Sequence, residues 1–273
     1  METTQPTDRT APAHGKKILI VSAHPDPRSL TASLASFAEA ELRRSGHEVR
    51  TSDLYAMKWR AEVTADDFPD FERLSPDGRL DVMEVSGRAT AEGRLSPDIA
   101  AEQEKLLWAD AVILQFPLWW FSAPAIVKGW FDRVLTNNFG YFSSGNPGYG
   151  GGTLAGRRAL VAVTLGAGEP SFSPRGIHGP LADVLFPIQH GVLFFTGMDV
   201  LEPFAVFGAA ELDDARYAEV TAGYGERLRA LFTDEPIPFR SLRDGDYTRS
   251  LELRPEVEAP GVTGFDLHLR TRG

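Results

Sequence analysis

The sequence contains no cysteine. That excludes disulfides, a thiolate nucleophile, cysteine-ligated zinc and iron–sulfur clusters. It also lacks an apolar run of the roughly 18 residues that a membrane-crossing helix requires, so no membrane span is expected. Basic residues are in the minority, 28 against 38 acidic ones, and the net charge is −10. That balance disfavours nonspecific binding to nucleic acid or to anionic membranes. The six histidines are scattered, without H-E-x-x-H or an i, i+4 pair, so no metal site is expected. Three motifs are missing as well. Without G-x-x-x-x-G-K-[ST] the chain is not a P-loop nucleotidase. Without G-x-G-x-x-G after its first strand it has no dinucleotide fingerprint. Without G-x-S-x-G a serine hydrolase is not expected.

What is present reads as a globular chain. Its 273 residues, 42% hydrophobic and 24% charged, suit between one and two domains. Residues 1–15 are polar and rich in Thr and Pro, and they lack the apolar region of a signal peptide. They are expected to form a disordered arm on a cytoplasmic protein. From Lys16 the pattern changes. Residues 16–23, KKILIVSA, form a branched apolar run ending in the turn His24-Pro25-Asp26-Pro27. A run without polar alternation suits a strand buried on both faces of a parallel sheet. Leu30, Leu34, Phe37, Ala38 and Leu42 mark one face of a helix, with Ser29 as its N-cap and Gly46 closing it. Further strands are expected at His47–Leu54, Ala111–Phe116, Ala159–Leu165 and near Asp199–Phe207. Further helices are expected at Pro97–Trp108 (stripe Ile99, Leu106, Leu107), after Ser122 as cap (Val127, Trp130, Phe131, Val134), and at Asp213–Phe232.

Strands alternating with helices imply α/β architecture and a parallel sheet. Five strands favour a doubly wound, flavodoxin-like sheet of order 2-1-3-4-5. Residues 16–239 would form that domain, and 240–273 a C-terminal extension rich in charge and Pro. Residues 55–96 read as a long polar insertion, which calls for a lid or a subunit contact to justify it.

In such sheets ligands bind beyond the carboxyl ends of the strands. That narrows the functional question to three loops. The first, His24 to Thr31, enters a helix, so Ser29, Thr31, backbone amides and Arg28 can form an anion site. The rival reading makes Ser29 and Thr31 plain caps and His24 a turn residue. The second, Pro117-Leu118-Trp119-Trp120-Phe121, sets three aromatics in a row at a strand end. They suit core, a partner interface or a flat wall for a planar ring. The third runs from Gly166 to His178; its glycines let backbone approach a ligand, and His178 is its one side chain with an ordinary pKa near neutrality. With metal, thiol and activated serine set aside, the chemistry falls to a bound cofactor, and a flavin carries hydride chemistry by itself.

The residues also resemble a family. Ser52–Met57, Leu95–Ala100, Gln115–Phe121, Pro124–Phe131, Gly176–Gly179, Phe186–Gln189 and Val200–Pro203 match segments of the NAD(P)H:quinone oxidoreductases, in order, within a likeness spanning about Lys17 to Phe239. The resemblance implies a flavodoxin-like homodimer with FAD, or FMN in some relatives. It implies two-electron reduction of a quinone by NADH or NADPH in a ping-pong cycle through one shared slot. It assigns His24, Ser29, Leu30 and Thr31 to the flavin phosphates, and Pro117, Leu118, Trp119, Trp120 and Phe121 to the ring edge. Thr164, Leu165, Gly166 and Ala167 would hydrogen-bond the ring through their backbone. His178 would steady charge on the reduced flavin and relay a proton, and Tyr141 would reach over the substrate of the neighbouring subunit. The chain departs from the pattern at Phe172, where the family has a tyrosine six residues before the histidine. It departs also at Trp119 in place of glutamine, at Ser143 in place of a second tyrosine, and after Arg240, where a lysine-rich tail is missing. The same chemistry would serve a nitro- or azoreductase. A flavoprotein of another class, a one-electron carrier or a regulatory subunit docked on a membrane transporter, is the alternative.

Overall fold

Apolar runs without alternation need apolar cover on both faces, and the chain supplies it. The computed structural model describes residues 15–142, 145 and 148–270. Residues 1–14 of the expected N-terminal arm, and Ser143, lie outside the described residues. Strands β1 (Lys17–Ser22), β2 (Glu48–Asp53), β3 (Ala111–Pro117) and β4 (Arg158–Thr164) run parallel in the order β2-β1-β3-β4. Side chains of β1 alternate between two cores. Ile18 and Ile20 point to one side, with α1 (Leu30–Arg44) and α7 (Asp214–Arg229). Leu19 and Val21 point to the other, with α4 (Pro97–Trp108) and α5 (Ala125–Val134). Strands β3 and β4 divide in the same way. Each large aliphatic side chain so buried contributes about 1.5–3 kcal/mol.

The expected elements are corrected at four places. The fifth strand is two short ones, β5 (Asp199–Val200) and β6 (Phe204–Val206), both on the outer edge of β4. Arg158 pairs with Asp199 but Ala162 with Phe204, so one extra residue is absorbed at Glu202-Pro203. Pro203 has no amide hydrogen to give the ladder. Ser122 does not cap α5; its amide and carbonyl both bond Trp119, and the α5 boundary residue is Pro124. Leu107 is half-exposed, because it sits about 100° around the helix from Leu106. Ser29, by contrast, caps α1 as expected, its Oγ accepting the Ala32 amide at 3.1 Å.

The polar insertion 55–96 is folded. It holds α2 (Phe71–Leu74), α3 (Val82–Ala91) and a small core of Phe68, Leu74, Val85 and Ala89. Buried charge ties it to the sheet domain. Asp67 accepts from Arg133 Nη2 at 2.8 Å and Nε at 3.1 Å, and Arg60 pairs with the same carboxylate. Arg133 also donates to Asp98 at 2.7 Å and lies 4.4 Å from the Trp59 ring. The fourth correction lies at α6 (Leu181–Ile188), which was not expected and runs on into a π-helical stretch, Gln189–Phe194. Pro187 interrupts the α-pattern there. Residues 240–270 fold back on this region, and Phe239 bridges Leu269.

Both charged side chains of the Asp67–Arg133 pair are 1% exposed. Asp67→Ala leaves the guanidinium buried without its main anion, so chemical denaturation should show a loss of about 3–5 kcal/mol. A loss below about 1 kcal/mol would contradict this reading of the junction.

Candidate functional site

A sheet dry on both faces leaves polar groups their room at the strand ends. The loop after β1 is tight. Asp26 accepts from the Arg28 amide at 2.9 Å and from its guanidinium Nε and Nη2 at 3.1 and 3.0 Å. This fork holds the Asp26 carboxyl well below the usual range, at about 2. Arg28 is thereby turned to solvent, its side chain 88% exposed. His24 Nδ1 lies 3.1 Å from the Asp26 amide and 3.2 Å from the Asp26 carbonyl oxygen, so the Asp26 backbone holds the ring in place. At the start of α1 the Leu30 and Thr31 amides find no acceptor among the described residues. They are the free donors of a helix N-terminus. The Thr31 hydroxyl points inward and meets that of Thr164 at 2.8 Å, so it braces the loop against β4.

The loop after β3 presents its aromatics. The Leu118 amide donates to Thr164 O at 2.9 Å. Trp119 and Ser122 then exchange two backbone hydrogen bonds of 3.0 Å across a tight turn. Its central residues, Trp120 and Phe121, have φ of 50° and 60°. Two aromatics in the left-handed region are strained by about 1–2 kcal/mol each. The strain gains Trp120 almost no packing, since it is 95% exposed, while Phe121, 51% exposed, packs on the His178 ring. Core is therefore not their role; a ligand or a partner remains.

The loop after β4 supplies the third side. The amides of Gly166, Ala167 and Gly168 find no acceptor among the described residues. A Cβ built at Gly166 would meet nothing within 4 Å, so the space above that backbone is open. His178 closes the loop through its amide, which donates to Ser171 O at 3.0 Å. Its imidazole lies between two phenyl rings, 5.1 Å from Phe121 and 4.9 Å from Phe172. No side-chain hydrogen bond holds it among the described residues.

The three loops thus meet. His24 stands edge-on to Trp119 at 6.1 Å, Phe121 joins His178, and Thr31 joins Thr164. Tyr141 stands apart. It lines a groove of about 370 Å³ with Lys128, Phe131, Val192 and Phe195, which none of the three loops enters. Burial pushes its phenol pKa up. Sequence reasoning missed Asp26 and Ser122, which shape the site without facing it. A carboxylate two residues before an arginine in a turn was the readable signal for the first.

These groups fit a flavin. Free amides at the α1 terminus suit phosphates, free amides over open backbone suit the polar edge of a flat ring, and exposed aromatics suit its face. A family model described as flavodoxin-like fold matches residues 16–228. A ribosyldihydronicotinamide dehydrogenase-like protein of Penicillium crustosum is 46% identical over 93% of this chain and 96% of its own. NAD(P)H dehydrogenase [quinone] 1 of Cavia porcellus is 37% identical over 89% of this chain and 88% of its own. A solved Klebsiella pneumoniae structure assigned as a quinone reductase superposes with TM-score 0.87 at 47% identity, covering 94% of this chain and all of that one. Fold and site define a flavodoxin-like protein. Within that class the chain belongs to the NAD(P)H:quinone oxidoreductase family. No helix among the described residues is long and apolar enough to cross a membrane.

Trp120→Gly removes left-handed strain and an indole that packs on little. Denaturation should show stability unchanged or raised by about 1 kcal/mol, while fluorescence titration should show flavin affinity falling at least tenfold. A clear loss of stability would mean that the indole serves packing instead.

Proposed function

We propose that the chain is a flavin-dependent NAD(P)H:quinone oxidoreductase that binds FAD and acts as a homodimer. The carrying observation is the rim itself. Three consecutive free amides, at Gly166, Ala167 and Gly168, border open backbone beside exposed Trp120, Phe121 and an untethered His178. When bound, the flavin supplies the hydride-accepting and hydride-donating centre that the protein's own side chains cannot.

The chain's residues do the rest. Leu30 and Thr31 amides, at the positive end of the α1 dipole, hold the phosphates. Gly166, Ala167 and Gly168 amides donate to the ring's polar edge, where negative charge gathers on reduction. Trp120 and Phe121 keep one flat, apolar slot, so donor and acceptor take turns against the same surface. His178, held by ring contacts with Phe121 and Phe172, stands beside that slot as the general acid–base group. Phe172 places a phenyl ring where a phenol would relay, so the proton passes between His178 and solvent directly. The homodimer rests on the family resemblance, in which Tyr141, here lining a groove apart from the rim, would reach the slot of the neighbouring subunit. A quinone is favoured over nitro or azo acceptors by the relatives, whose names specify it; the slot needs only a flat electrophile.

Purified protein should be yellow, and anaerobic stopped-flow with NADH or NADPH should bleach it. In His178→Ala that reduction should slow by about 10²-fold, and an unchanged rate would return His178 to a structural role. Phe172→Tyr should bind flavin as tightly as the parent while adding a second ionisation to the pH profile. Loss of flavin binding in that variant would contradict the placement of this loop.

A further inference from the structure

The C-terminal segment is fastened by a cluster that the redox site does not use. His190 lies in the π-helical stretch, 9% exposed, with its Nε2 buried and unpartnered. Phe186 stacks on it at 4.5 Å, and Tyr149 covers it at 4.8 Å. Phe194 of the same stretch lies 5.6 Å away, and the last part of the chain supplies further cover. Phe239 meets it edge-on at 4.9 Å, and the His268 ring lies 5.7 Å away. Phe265 stacks on the outer face of Phe186 at 4.1 Å. His268 is fixed in turn, its Nδ1 lying 2.9 Å from the Tyr247 hydroxyl in a hydrogen bond. Two backbone bonds attach the segment, Leu242 amide to Tyr149 O at 3.2 Å and Arg270 amide to Pro238 O at 2.8 Å, while the Arg240 amide closes the segment on itself at His268 O, 2.9 Å away.

We propose that residues 240–270 form an acid-released strap, clasped to the flavin domain by the neutral His190–His268 pair. The clasp holds only while both rings are uncharged. A proton on His190 would put charge on a buried ring with no acceptor at Nε2 and a second imidazole facing it. The other groups around the pair offer no relief. Phe186, Phe194 and Phe239 are apolar, Tyr149 and Tyr247 are neutral, and the nearest cation, Arg240, acts against protonation of His268. The Asp246 carboxylate is already paired with Arg240 at 2.7 Å, and no carboxylate among the described residues acts on either imidazole.

The direction of the effect follows from linkage. Burial, with His268 adding to it, pushes His190 down from 6.5 to about 4. Burial and Arg240 lower His268 as well. The released strap therefore binds protons better than the clasped one. Release gains ground as pH falls below about 6.5, by up to about tenfold per unit for each proton taken up. The consequence reaches past the strap. The same π-helical stretch presents Gly191 and Val192 to the groove of Tyr141, so release loosens one wall of that groove.

Hydrogen exchange read by mass spectrometry tests this on the full flavin-loaded chain between pH 7 and 4.5, with intrinsic rates divided out. Protection in residues 240–270 should fall about tenfold per unit below pH 6.5 while β3 and β4 stay protected, and should recover when pH is restored. His190→Phe should flatten that fall, and His268→Gln, which keeps a polar group for Tyr247, should weaken it should the first variant fold poorly. Protection constant across the range would overturn the proposal. So would a fall of equal slope in both variants, which would assign the effect to the carboxylates of the Asp244–Arg270 and Asp246–Arg240 ion pairs, or a fall shared by β3 and β4, which would be global unfolding.

Discussion

The constraint on which the rest depends is a parallel sheet sealed on both faces. β1, β3 and β4 carry almost no side chain that water can reach, so neither face can hold a ligand. The carboxyl-terminal rim is different. There the strands end in proline, glycine and aromatic turns, amides lose their ladder partners, and helix α1 begins with free donors. Function concentrates there because the interior has no room for it.

Within the rim, the site is assembled by conflict between local preference and tertiary use. Trp120 and Phe121 adopt a backbone conformation that glycine or asparagine would enter more easily; Trp120 gains almost no burial by it, and Phe121 gains its contact with His178. Arg28, the obvious cation for a phosphate, is bound to Asp26, which leaves uncharged amides at the α1 start as the anion donors. His178 is confined by ring contacts alone. A tightly bonded imidazole would be pinned in one tautomer; this one is held in place without a side-chain hydrogen bond among the described residues.

Much of this was legible. Strand runs, the α1 stripe with its Ser29 cap, and the three rim loops follow from periodicity and turn chemistry, because those signals are local. The split of the fifth strand at Pro203 and the turn that removes Ser122 from capping depend on which partner the backbone finds, and no local pattern encodes that. The insertion 55–96 looked like loop because its anchoring residues, Arg60, Asp67 and Arg133, are charged, and charge reads as surface until a buried partner is seen. Tyr141 could be singled out only through the family resemblance. Its distance from the rim within one chain was not readable at all, since it reflects tertiary placement.

The π-helical stretch connects these parts. It carries His190 toward the C-terminal strap and Val192 toward the Tyr141 groove, while α6 before it starts just after His178. The central claim, however, is that a tricyclic ring rests against the rim. A crystal structure grown with excess FAD tests it most directly. The account predicts density for the ring within hydrogen-bonding reach of the Gly166–Gly168 amides, faced by Trp120 or Phe121, with phosphates at the Leu30 and Thr31 amides. A rim left empty at saturating FAD, or closed by the protein's own side chains, would contradict it.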